Sequence, residues 1–143
     1  MNLPRLLFAP LGRGGRFFGS TVVTGSHVRS AELVSAGGAD AAAIDCVTFA
    51  LLRRYRSAAV ARLRAIAETA ATHAPPLVTA RAADSETVAS LRYGLRAFFD
   101  DSAFAALRTR LALADVSICD ADAYDTVLAY ERDAERLGYA VLA

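Results

Sequence analysis

The run Thr24-Gly25-Ser26-His27 places two hydroxyls, a glycine and an imidazole between a segment of strand composition and one of helical spacing. At such a junction the exposed backbone N–H groups and the positive end of the helix dipole favour an anion, so a phosphate or carboxylate fits. Ser26 can donate from its hydroxyl, and His27 from a ring nitrogen, more strongly when a nearby negative charge protonates it. The same residues admit a plainer reading, with Ser26 an ordinary N-cap and His27 a surface residue at a helix start. Asp45 follows the next apolar run, and in a parallel sheet it shares with His27 the edge at the strand C-termini where ligands of open α/β sheets bind. A carboxylate repels an anion unless one of the two carries a proton. Asp45 therefore suits the acidic hydroxyl of a protonated oxyanion such as hydrogen phosphate, or an amine, while an N-cap is its plainer role.

Constellations for catalysis are poor. The chain has only His27 and His73, and neither Cys46 nor Cys119 has a histidine nearby in sequence. The glycine-rich segment Gly12-Arg13-Gly14-Gly15 lacks the Gly-Lys-Ser/Thr ending of a phosphate loop. Arg13 and Arg16 can touch an anion or simply be solvated. The cysteines, without a Cys-x-x-Cys spacing, give neither a zinc knuckle nor a disulfide framework and read as small buried hydrophobes. No enzyme, metal or cofactor is expected from these residues.

The elements that must hold the loop follow from pattern. A short helix and a glycine turn open the chain, and Phe17 to Thr24 has the aromatic and β-branched content of a strand. His27 to Ala36 reads as a helix stopped by Gly37-Gly38. Ala41 to Ile44 reads as a buried strand, with Asp45 capping a helix through Val47, Ala50 and Leu51. Leu63 to Ala67, Leu77 to Ala80 and Val116 to Cys119 read as further strands. Asp84 caps a helix with Val88, Leu91, Leu95 and Phe98 on one face, and Phe104, Leu107 and Leu111 form the stripe of a second, both facing a core. A last helix, capped by Asp122 with Tyr124, Val127, Leu128 and Leu137 inward, ends at Gly138. Alternating strands and helices predict an α/β fold with a parallel sheet.

At 143 residues, 55% hydrophobic and 22% charged, the chain can bury a core and is not a disordered tail. Its sixteen basic residues are all Arg, which with the abundant Ala reflects a GC-rich coding sequence, and its net charge of +1 gives no support to nucleic-acid binding. No signal peptide is visible at the start, and no run reaches the roughly 20 apolar residues of a membrane span.

Thr24-Gly25-Ser26-His27, the stretch Arg29 to Gly37 and the run Ala39 to Thr48, with its Ile44-Asp45-Cys46-Val47, resemble the phosphate/phosphite/phosphonate substrate-binding proteins of ABC transporters. The resemblance implies a type II periplasmic-binding-protein-like fold, with His27 and Asp45 lining the ligand cleft. The opening residues resemble the family helix that follows a serine-rich phosphate-gripping loop, so the resemblance puts that loop and the first lobe's opening strands before Met1. It implies residues 1–66 as a second-lobe α/β segment with the anion site, 67–80 as hinge and crossing strands, and 81–143 as the C-terminal helical part of the first lobe. It further implies capture of a small phosphorus oxyanion without chemistry, an ABC permease as partner and a periplasmic location. Ser26, His27, Asp45, Thr24 and Gly25 are the expected ligand-binding residues. A structural or regulatory remnant that pairs with a second copy through an exposed apolar face is the alternative, and an enzyme on the same fold, with His27 moving a proton, is a third.

Overall fold

A computed structural model describes residues 2–142 and is built from helices. These are α1 (Asn2–Phe8), α2 (His27–Ser35), α3 (Cys46–Tyr55), α4 (Ser57–Val60), α5 (Ser85–Asp100), α6 (Ala105–Leu111) and α7 (Asp125–Arg136). Short 3-10 turns at Ala9–Leu11, Ser102–Phe104 and Ala121–Tyr124 extend or introduce them. The chain divides into two compact units, one formed by Asn2 to Thr72 with Ala121 to Leu142, the other by His73 to Asp120.

In the first unit α1 lies against α7. Arg5 is buried between them, its Nε donating to the Tyr139 carbonyl at 3.2 Å and one terminal nitrogen reaching Glu131 at 3.4 Å. Ala134 and Tyr139 are fully buried beside it. A second cluster, Ala31, Leu52 and Val60, joins α2, α3 and α4, with Val28, Ile44, Phe49 and Leu63 packed around it. The apolar spacing of α2 and α3 supplies this cluster, because residues three and four apart share a helix face. Helix α2 stops where Gly37 takes φ +77°, and the Gly37 and Gly38 N–H groups return to the carbonyls of Val34 and Leu33. A residue free to adopt positive φ is what that closing turn needs.

The second unit is a helical hairpin held by arginines. Asp84 caps α5 by accepting the Thr87 N–H at 2.7 Å. Arg108 on α6 donates to the carbonyls of Phe98 and Asp101 at 2.6 and 2.8 Å and lies over the rings of Phe98 and Phe99. Arg96 bridges Asp115 at 3.0 Å and the Val116 carbonyl at 2.6 Å.

The expected parallel sheet, and with it the α/β, type II periplasmic-binding-protein-like architecture, is not present among the described residues. Among the described residues the β-type pairing is an isolated antiparallel bridge between Arg13 and Arg16. Phe17–Thr24, Ala41–Ile44, Leu63–Ala67, Leu77–Ala80 and Val116–Cys119 run without a ladder partner. Strand composition records how well side chains fit a pleated, half-covered surface, and it makes no strand until another one supplies the hydrogen bonds. Here Val23 is 97% and Val78 84% exposed, so nothing covers those faces.

Two other expectations change for the same reason. Cys46 and Cys119 are exposed rather than buried, one opening α3 and the other in an extended stretch. The stripes of α5 and α6 are only partly covered, with Leu91, Leu107 and Leu111 exposed and no residue of either helix fully buried. On α7, Leu128 and Leu137 are exposed, while Tyr124 and Val127 are half-buried. The last helix begins at Asp125 after a 3-10 turn instead of being capped by Asp122.

Candidate functional site

The loop before α2 is tied down by its own side chains. Thr24 Oγ1 lies 3.1 Å from the Ser26 carbonyl, to which it donates, and 2.7 Å from Ser30 Oγ one turn into the helix. Gly25 takes φ +83°, which turns the chain so that Ser26, in extended conformation, becomes the N-cap. Ser26 Oγ accepts the Arg29 N–H at 3.2 Å and the Ser26 carbonyl accepts the Ser30 N–H at 3.0 Å. That leaves the Ser26 hydroxyl hydrogen available to a ligand oxygen. The first backbone N–H groups of α2, on His27 and Val28, have no carbonyl behind them in the helix and make no hydrogen bond among the described residues.

Helix α3 starts differently. Its N-cap Asp45 accepts the Thr48 N–H on Oδ1 at 2.7 Å, and its carbonyl accepts the Phe49 N–H at 2.9 Å. The carboxylate thus answers the α3 dipole from within the chain, whereas α2 is capped by a neutral hydroxyl. The Thr48 N–H, foremost, holds the Asp45 carboxyl below its ordinary value, and slight burial opposes this. Asp45 is an acceptor at neutral pH.

The two helix starts meet at one bond: the Asp45 backbone N–H donates to His27 Nδ1 at 3.4 Å. A ring nitrogen that accepts carries no proton, so the neutral imidazole in this arrangement has its hydrogen on Nε2. His27 is exposed, and that Nε2–H is a donor open to a ligand. Thr24, Gly25, Ser26, His27 and Asp45, read from sequence as one group, are therefore gathered within one stretch of surface. Ser30 and Thr48 were not singled out from sequence, although their spacing from the caps, four and three residues on, is a recognisable signal. The site is an open face rather than a closed cavity. The grooves of about 610 and 580 Å³ along α5 and α3–α4 include none of the five residues.

A family model described as the phosphonate periplasmic substrate-binding protein of ABC transporters matches residues 3–124. The chain belongs to this family. The resemblance read from the Thr24–His27 loop and the Ile44–Val47 run is borne out. No curated protein and no solved structure gives a match. A phosphonate-binding protein of this kind serves transport, working in the periplasm with an ABC permease, and its family is not one of enzymes. Among the described residues no group of His, Cys, Asp and Glu could hold a metal ion, and no helix is long and apolar enough to cross a membrane.

Proposed function

We propose that this chain captures a phosphonate, or a related phosphorus oxyanion such as phosphate or phosphite, at the N-terminus of α2 and passes it on unchanged to the permease. The free N–H groups of His27 and Val28, the Ser26 hydroxyl and His27 Nε2–H supply donors for the ligand oxygens. Asp45, ionised and beside His27, accepts from a hydroxyl on phosphorus and so selects a ligand that still carries a proton. Thr24 and Gly25 set the loop, the first by its two hydroxyl bonds and the second by its positive φ. The observation that carries this reading is the bond between the Asp45 N–H and His27 Nδ1, which unites the two helix starts.

Calorimetry of the full chain with methylphosphonate, phosphate and phosphite tests it. Saturable binding of at least one anion is expected, and His27→Ala weakens it at least about tenfold, roughly 1.4 kcal/mol, as a charge-assisted hydrogen bond is lost. Equal affinity in the His27→Ala protein, or a folded wild-type chain that takes up none of the three anions, overturns the assignment.

A further inference from the structure

From Cys46 to Ala67 the chain carries five arginines and no acidic residue. Of these, Arg56 is paired with Glu32 at 3.0 Å. Arg53, in the last turn of α3, and Arg64, beyond the end of α4, are exposed and enter no ion pair among the described residues. Both line the groove of about 580 Å³ along α3 and α4, and no carboxylate lines it with them.

The floor of that groove is apolar. Val60 is buried in the cluster it forms with Ala31 and Leu52, and Phe49 and Leu63 pack half-buried against it. All three also line the groove, so its floor is the outer side of a packed core, and Ser57 adds a hydroxyl to the lining. A volume within roughly 300–1,000 Å³, a mostly apolar lining and a few polar groups are the marks of a small-molecule site. The negative end of the α3 dipole accounts for a cation at Arg53, yet not for Arg64, which lies outside that helix.

A guanidinium presents paired N–H donors that match a carboxylate or a phosphate, so the two arginines define an anionic complement and the floor an apolar one. A single molecule can enter a groove, whereas a bilayer takes up a protruding apolar face, and the apolar residues here are set back into the core. We propose that the groove along α3 and α4 binds a small amphiphilic anion, a carboxylate or phosphate monoester on an apolar body. Arg53 and Arg64 hold its head, and Phe49, Val60 and Leu63 receive its body. Asp45 caps the start of α3 and Arg53 lies in its last turn, about 12 Å further along the axis. The groove is therefore separate from the loop before α2, and its ligand does not depend on phosphonate capture.

Titration of the full chain with decanoate, below the concentration at which it forms micelles, reads the proposal by calorimetry and by amide chemical shifts. Saturable binding is expected, with shifts at Phe49, Ser57 and Leu63, while decyltrimethylammonium, which has the same tail and the opposite charge, does not bind. The Arg53→Gln, Arg64→Gln double variant changes two exposed side chains, so its circular dichroism stays that of the wild type and its affinity for decanoate falls at least about tenfold. Arg62→Gln, which alters an arginine outside the groove, and His27→Ala both leave decanoate binding unchanged. A chain that takes up no decanoate overturns the proposal, as does equal uptake of the cation or an unchanged affinity in the double variant. An equal loss in Arg62→Gln, or in His27→Ala, places the anion elsewhere and overturns it too. So does co-sedimentation with phosphatidylglycerol vesicles that the double variant abolishes and decanoate does not displace, which would make the arginines a membrane contact.

Discussion

Asp45 does two things at once. Its side chain caps α3 through Thr48, and its backbone N–H holds the His27 ring. Its carboxyl is lowered, chiefly by the Thr48 N–H, and that of Asp84 is lowered in the same way by the Thr87 N–H. A depressed carboxylate favours the folded state above the ordinary carboxyl range near 4, and this contribution fades as pH falls through the lowered folded value. Urea unfolding between neutral pH and about pH 2 is therefore expected to show a loss of stability on the acid side that is smaller in the Asp45→Asn, Asp84→Asn double variant, which keeps both acceptor oxygens without the charge. An equal acid loss in both proteins would show that other carboxyls carry it. Asp45→Ala removes the cap altogether and costs about 1 kcal/mol.

Helix starts and stops were the most legible elements. Ser26, Asp45 and Asp84 each cap the helix that their position announced, since a short polar side chain satisfies an N–H the helix leaves open. Gly37 and Gly138 follow helix ends as expected, both at positive φ. At Gly37 an added Cβ meets nothing within 4 Å, so Gly37→Ala strains only the backbone. It is expected to cost about 1 kcal/mol in chemical denaturation and to leave anion binding unchanged, because the donors proposed for the ligand lie at the far end of α2. A neutral result would mean that α2 can end by another turn. Helix α4 escaped notice because four residues of Ser57–Val60 are too few to show a period.

At the scale of the whole molecule the two units differ in what they bury. The first has two clusters of buried side chains, while α5 and α6 hold together through Arg96, Arg108 and half-covered phenylalanines. Local opening follows buried apolar contact, so amides of α5 and α6 are expected to exchange with deuterium faster than those of α3 and α7 under native conditions. Equal protection in the two units would show that they open as one. The exposed extended segments belong to this scale as well, since their fate depends on a partner strand and not on their own residues.

The sequence by itself determined most of the helices and the caps at Ser26, Asp45 and Asp84, because a helix satisfies its own backbone and a cap acts within three or four residues. The family, too, was readable from the Thr24–His27 loop and the Ile44–Val47 run, and the match over residues 3–124 bears it out. Whether the β-branched segments became strands was decided only in the tertiary structure, where none of them meets a neighbour to complete its hydrogen bonds. The burial of Cys46, Cys119 and the α5 stripe was decided there as well, since an apolar face shows what a residue can pack against and only the surrounding chain supplies it.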